Sequence, residues 1–413
     1  MLHRIGLERT GVLGERNVRL FFVGYTVSLT GSAMAPVALT FAILGRGGSA
    51  GAVGLVLASE TAALVVCLLA GGVLADRMSR RRLMLIADLM RFVAQLLMAA
   101  LLVFSSAPLQ VGSAALTAMM GLAVMLGAGQ AAFGPGLTGL VPEIASPARL
   151  QDANALIGMA RPLGQIAGPA LAGLLVASGG AAWAILVDAL TYGIGALCLA
   201  RLDMPPHVAE AAPEPVWQQL RLGWREFSAH AWLWIIVLQF GFQHLVVFAP
   251  FYVLGAVVAQ HSLGGASAWG LILSAHGLGA VLGGLWSIRL RPERPLAVAT
   301  LTTFANAPML LLLAWPGPLW AIGLAAMAAG GGVAIFTTLF DTTLQQRIPP
   351  HALSRVSSYD WLGSMALFPL GYALAGPAAD LFGIRATLCG SALWLVAASA
   401  LVLALPAVHG VRR

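Results

Sequence analysis

Four titratable side chains stand inside long apolar runs of the 413-residue sequence: Glu60, Asp188, His244 and His276. An ionisable group at membrane depth is costly and commonly functional, and a carboxyl or imidazole placed there can bind and release a proton. Glu60 has no basic residue within one helical turn. Its alternative role is that of a protonated or hydrogen-bonded structural glutamate, and for the two histidines it is an imidazole satisfied in a packed core. No nucleophile motif or cluster of metal ligands is present. A phosphate-binding Gly-x4-Gly-Lys-Ser/Thr loop is excluded, because the chain has no lysine. An enzyme, a resident metal and a cofactor are therefore not expected. Cys67, Cys198 and Cys389 lie in apolar runs without a CxxC pair and read as packing residues.

The elements that must position these groups follow from composition. Hydrophobic residues make up 59% of the chain and charged residues 9%, a surface that water cannot solvate. At roughly 20 residues per crossing, the length accommodates about twelve membrane spans. We place them near 18–44, 51–75, 83–105, 110–138, 151–178, 182–202, 231–259, 267–288, 296–315, 318–340, 355–379 and 385–406. The fold class expected is an all-α membrane protein.

The 23 basic residues are all arginine, which, with the many alanines and glycines, suggests a GC-rich bacterial genome. With the amino terminus inside, only Arg46 and Arg385 fall in outer loops, and the rest sit in cytoplasmic loops or near cytoplasmic helix ends. Both termini are then cytoplasmic. The net charge of +7 is this topology signature and not a nucleic-acid footprint. The first 19 residues carry Arg4, Arg9, Arg16 and Arg19 ahead of an apolar run of spanning length, so the first span reads as an uncleaved anchor.

The two halves repeat each other. A shift of 212 carries Gly71-Gly72, Arg77 and Arg82 onto Gly283-Gly284, Arg289 and Arg294. A shift of 203 carries Phe133, Pro147, Gly168 and Ala172-Gly173 onto Phe336, Pro350, Gly371 and Ala375-Gly376. Two pseudo-symmetric six-helix bundles result, over 1–203 and 231–413. The linker, 204–230, is polar and proline-rich at its start. Trp217, Leu220, Trp224 and Phe227 recur in it at helical spacing, which predicts an amphipathic helix lying on the inner membrane surface.

Between spans 2 and 3 runs Gly72-Val-Leu-Ala-Asp76-Arg77-Met-Ser-Arg80-Arg81-Arg82-Leu83. It resembles the loop between helices 2 and 3 of the major facilitator superfamily of transporters, with Ser79 where that family usually has glycine. Span 5 contains Gly164-x3-Gly168-Pro169-x2-Ala172-Gly173, similar to the glycine–proline motif of the antiporting branches, with Ala155 and Ala172 at two of its glycine positions. Small residues every four positions let a neighbouring helix approach closely, and Pro169 permits a bend. The arginine on helix 4 typical of many proton-coupled drug exporters has no counterpart in 121–135, as in the branch holding macrolide efflux proteins and the enterobactin exporter.

The resemblance implies a bacterial inner-membrane transporter working by alternating access as a monomer, with a small molecule and protons as its partners and the lipid bilayer as its medium. Export of a drug-like or secreted natural product, of macrolide or siderophore type, leads. An uptake permease for a small metabolite and a non-transporting sensor are the alternatives. In that fold helices 1, 4, 7 and 10 line the cavity, which assigns Tyr25, Ser28, Thr30, Gln130, Gln239, Phe240 and Gln243 to substrate contact, with His244. Helix 6 packs on the outside of its bundle, which weakens Asp188 as a coupling residue. The loop after helix 2 faces the start of helix 11, and the loop after helix 8 faces the start of helix 5. Asp76 with Arg355, and Asp152 with Arg289, are thus expected as opposite-sign gate pairs.

Overall fold

The computed structural model describes residues 11–204 and 216–412; the side chains of 69–77, 135, 138, 216–220, 222 and 351 lie outside that description. Twelve helices are long and apolar enough to cross a membrane, and no strand occurs among the described residues. In lipid the backbone must satisfy its own hydrogen bonds, so each apolar run becomes a helix.

The chain divides into two compact units, residues 1–210 and 211–413. Spans 1 to 6 are Arg16–Leu44, Ala50–Arg77, Arg80–Phe104, Ala114–Ile144, Leu150–Gly179 and Ala181–Ala200. Spans 7 to 10 are Ala231–Leu263, Ala266–Ser287, Pro295–Ala314 and Leu319–Arg347; span 11 is made of Pro350–Met365 and Phe368–Phe382, and span 12 is Ile384–Ala404. Within the first unit span 1 packs on spans 5 and 6, span 3 on spans 4 and 6, and span 2 on span 4. Within the second, span 7 packs on spans 11 and 12, span 9 on spans 10 and 12, and span 8 on span 10. Every pair in one unit has its counterpart six spans later.

Individual residues carry the same repeat. Gly180 and Gly383, related by 203, both adopt positive φ (88° and 84°) at the turn into the last span of their unit, a conformation open to glycine at little cost. Tyr25 stacks on Phe133 at 5.9 Å, and Phe240 packs on Phe336 at 4.3 Å, which relates span 1 to span 7 by a shift of 215. Span 7 then contains a π-helical turn, His244–Phe248, which adds a residue. Beyond it the shift is 216: Gly168 lies against Ala33, and Gly371 against Ala249. Gly127 and Gly330, again 203 apart, each press on a span carbonyl, that of Glu60 and that of His276. The two titratable candidates are therefore counterparts by packing. This relation differs by one helical turn from the shift of 212 set by the arginine motif.

The linker helix, Val216–Ala229, has a protein partner at the carboxyl-terminal part of its apolar face. Phe227 is buried, and Trp224 and Phe227 pack on Tyr359 of span 11 at 5.6 and 5.9 Å.

Candidate functional site

A charged cluster lies buried among spans 1, 3, 4 and 6 of the first unit. Residues 88, 91 and 95 share one stripe of span 3, at spacings of three and four, and all three are buried. Arg91 donates to the Asp88 carboxylate, and its guanidinium lies 4.7 Å from the Phe133 ring of span 4 and 4.5 Å from the Tyr192 ring of span 6. Cation–π contacts of this kind contribute about 0.5–2 kcal/mol each. Gln95 donates through Nε2 to the Asp188 carboxyl of span 6. Thr191 Oγ1 donates to the Asp188 carbonyl at 2.7 Å, and the Tyr192 hydroxyl pairs with Ser32 of span 1 at 2.9 Å. Two glycines make room for the carboxyls: a Cβ at Gly31 would come within 2.5 Å of Asp188 Oδ1, and one at Gly195 within 2.8 Å of Asp88 Oδ2. Glu60, on span 2, lies within electrostatic reach of Arg91 and Asp188.

Composition and loop charge alone assign Arg91 to a cytoplasmic helix end; the structure corrects this. It sits eleven residues into span 3 with its charge buried, and Arg161 likewise lies well inside span 5, exposed on its surface. The stripe 88–91–95 was legible in the sequence. Its partner Asp188, 93 residues beyond Gln95, was not.

The second unit holds a neutral cluster on the corresponding spans. Gln239 of span 7 donates to Ser399 of span 12 at 3.1 Å, Ser399 pairs with Thr303 of span 9 at 2.9 Å, and Asn306 donates to the Thr303 carbonyl at 3.0 Å. Gln243 is fully buried beside them, its amide atoms without a hydrogen-bond partner among the described residues. His244 hydrogen-bonds the Phe240 carbonyl at 2.9 Å and packs among Phe240, Phe248 and Phe368. His276 is part-buried, its ring 6.4 Å from Phe251. Asp360 of span 11, which interacts with Ser364 and Asp341, was not singled out from sequence.

Of the expected cavity residues, Tyr25 and Ser28 are buried within the first unit, Thr30 is half-buried and bonded to the Thr26 carbonyl, and Gln130 is exposed. Gln239 and Gln243 are buried inside the second unit, and Phe240 is half-buried. In the span 5 motif, Gly164 packs on the backbone of Leu29 and Thr30, Gly168 packs on Thr30 and Ala33, and Pro169 and Gly173 are buried.

The arginine loop divides by partner. Arg80 donates to the Gly139 carbonyl at 2.8 Å and to Glu143 at 2.9 Å, and Arg81 to the Leu199 carbonyl at 2.8 Å and to that of Ala200. These are the last turns of spans 4 and 6, where cations offset the helix dipole. Arg82, Asp152 and Arg289 are exposed, and Arg355 is half-buried beside Gly223 of the linker helix. The side chains of Gly72, Asp76 and Arg77 lie outside the described residues, and with them the Asp76–Arg355 pair. Arg46 and Arg385 cap equivalent helices: Arg46 donates to the carbonyls of Leu102 in the last turn of span 3 and of Ser105 just after it, and Arg385 to that of Ala314 at the end of span 9. Among the described residues no group of three or more His, Cys, Asp or Glu side chains could hold a metal ion.

The sequence profile described as Major Facilitator Superfamily matches residues 21–366. The chain is 27% identical over 404 residues to the multidrug efflux pump Tap of Mycobacterium tuberculosis, covering 93% of this chain and 92% of that one. It is 27% identical over 366 residues to the enterobactin exporter EntS of Escherichia coli, covering 87% and 84%. Its fold is similar to the inward-facing crystal structure of a bacterial homologue of the iron transporter ferroportin, with a TM-score of 0.73 at 14% identity, over 94% and 99% of the two chains.

Proposed function

The chain belongs to the Major Facilitator Superfamily, and from that premise we propose that it is a proton-coupled exporter of a drug-like or secreted natural product. It is a multi-pass membrane transporter and not an enzyme. The observation that carries the direction of transport is the likeness, over more than four-fifths of both chains, to two proteins named as efflux systems. The glycine–proline face by which span 5 rests on span 1 supports the same direction.

In this reading the protein lies in a bacterial inner membrane with both termini cytoplasmic, following the arginine distribution. Cargo meets the spans that carry Tyr25, Thr30, Gln130 and Phe240. Few charges are found there, which suits an amphiphilic molecule. Proton exchange falls to a titratable group inside the spans, the candidates being Glu60, Asp188, His244 and His276. Asp76 with Arg355, and Asp152 with Arg289, close the cytoplasmic side when the cavity opens outward; exposed pairs contribute about 0–1 kcal/mol each, enough to shift a balanced two-state equilibrium several-fold.

The experiment uses everted vesicles from cells expressing the chain, given labelled erythromycin or a catecholate siderophore under an imposed proton gradient. Accumulation that a protonophore abolishes is the expected result. Uptake of the same probe by intact cells, with none into everted vesicles, would replace the exporter with a permease.

A further inference from the structure

The first unit holds three carboxyls within spans 2, 3 and 6, those of Asp88 and Asp188 buried and that of Glu60 part-buried, and among the described residues Arg91 is the cation that reaches them. Asp88 takes that cation directly. Asp188 does not: its 0% exposed side chain is held by Gln95, with Thr191 close by, both neutral. A buried carboxylate without a counter-charge is costly, whereas the neutral acid is not. Charge balance therefore separates the two aspartates, with Asp88 fixed in an ion pair and Asp188 able to change its proton load.

Gln95 is suited to both states. Its Nε2–H donates to Asp188, as a carboxylate requires, while its Oε1 is buried without a hydrogen-bond partner among the described residues, in a side chain that is 0% exposed. A buried orphan acceptor is costly. A half-turn of the amide would bring that oxygen to the carboxyl, where it accepts from a protonated Asp188 O–H. One residue thus offers a donor to the charged form and an acceptor to the neutral form. A cavity of about 10 Å³ beside Asp88, lined also by Tyr25, Phe133 and Gly195, is on the order of the space for one water. The equivalent spans of the second unit carry Gln239, Thr303, Asn306 and Ser399, with no charged group in the cluster.

We propose that Asp188 is the site that takes up and releases the coupled proton, with Gln95 as the residue that positions it in both states and span 1 as the element that senses it. The proposal rests on the proton-coupled reading above. In the release step the Asp188 O–H bond breaks, the proton passes to a water, and the carboxylate is received by Gln95 Nε2–H; loading reverses this and turns the amide. Span 1 senses the change because Gly31 lies against the Asp188 carboxyl and Ser32 bonds Tyr192 one turn further along span 6. The charged and titratable groups around the site are Asp88 and Arg91 of span 3, Glu60 of span 2, Tyr25 of span 1, Arg161 of span 5 and Tyr192 of span 6 itself.

The test needs no cargo. Infrared difference spectra of the purified full-length protein between acid and alkaline pH report the C=O stretch of protonated carboxyls. Asp188→Asn is expected to remove a titrating band that Asp88→Asn and Glu60→Gln retain. Gln95→Leu keeps Asp188 and guards against misfolding of the first variant. Bonds to a charged group are stronger than bonds to a neutral one, by about tenfold in the equilibrium. The midpoint of the band should therefore move about one pH unit to the alkaline side. A band that persists at full amplitude in Asp188→Asn, or one lost in Glu60→Gln instead, overturns the assignment, as does an unmoved midpoint in Gln95→Leu. If everted vesicles accumulate nothing while Asp188→Asn removes the band, the proton site stands and the exporter reading falls.

Discussion

Replacing Arg91 by methionine keeps most of the side-chain stem and removes the charge that Asp88 and two aromatic rings surround. The ion pair is dry, with side-chain exposures of 6% for Arg91 and 1% for Asp88. Removing one partner of a buried pair costs about 3–5 kcal/mol, because the other charge is stranded. Asp88 can escape by taking up a proton, and for an ordinary aspartate at neutral pH that costs about 4 kcal/mol, which limits the penalty to the same range. The cation–π contacts with Phe133 and Tyr192 add about 0.5–2 kcal/mol each. For a unit of this size each kcal/mol moves Tm by about 2–4 °C, so the combined loss of about 4–9 kcal/mol should lower the Tm of Arg91→Met by about 8–36 °C. The assay is thermal unfolding of the detergent-solubilised protein followed by tryptophan fluorescence. The double variant Asp88→Asn/Arg91→Met strands no charge and should recover at least half of that loss. The deficit of Arg91→Met should also shrink at acid pH, where protonation of Asp88 is cheap. Additive losses in the double variant would refute the argument, since independent sites add and coupled ones do not.

Alanine at Gly127 or Gly330 drives a Cβ into the carbonyl of Glu60 or His276, whereas Gly121 has open space around it. Gly127→Ala and Gly330→Ala should each cost about 1–3 kcal/mol and Gly121→Ala should gain about 0.5–1 kcal/mol, read as Tm; equal effects at all three sites would contradict the packing. Hydrogen bonds from the Ser146 hydroxyl at 2.6 Å and backbone N–H at 3.0 Å hold the Glu15 carboxyl below the usual carboxylate range. Because the folded-state value is depressed, the contribution is present above the unfolded value of about 4.3 and is lost as pH falls through the folded one. The Tm advantage of the wild type over Glu15→Gln should therefore vanish in acid, and an advantage independent of pH would count against the bond. At the cytoplasmic gate, Asp76→Arg should impair accumulation of the probe in everted vesicles and adding Arg355→Asp should restore part of it, whereas a double variant no better than the single one would dissolve the pair.

The amino-acid sequence by itself determined the spans, because in lipid each apolar run must close its own backbone hydrogen bonds, and it determined the repeat, because Phe133, Pro147 and Gly168 recur at a constant shift. It also exposed the small-residue face of span 5, since close helix approach demands small side chains. Partnership was decided only by the tertiary structure. Hydropathy does not locate an arginine along the membrane normal, so Arg91 passed for a topology charge until spans 3, 4 and 6 closed around it. Gln95 and Asp188 are joined by the packing of spans 3 and 6, a contact that no local pattern encodes. The match of Glu60 with His276 depended on a packing register one turn away from the arginine motif. In a helix the residues one turn apart share a face, so a sequence shift alone cannot choose between the two registers, and the carbonyl that meets each glycine does.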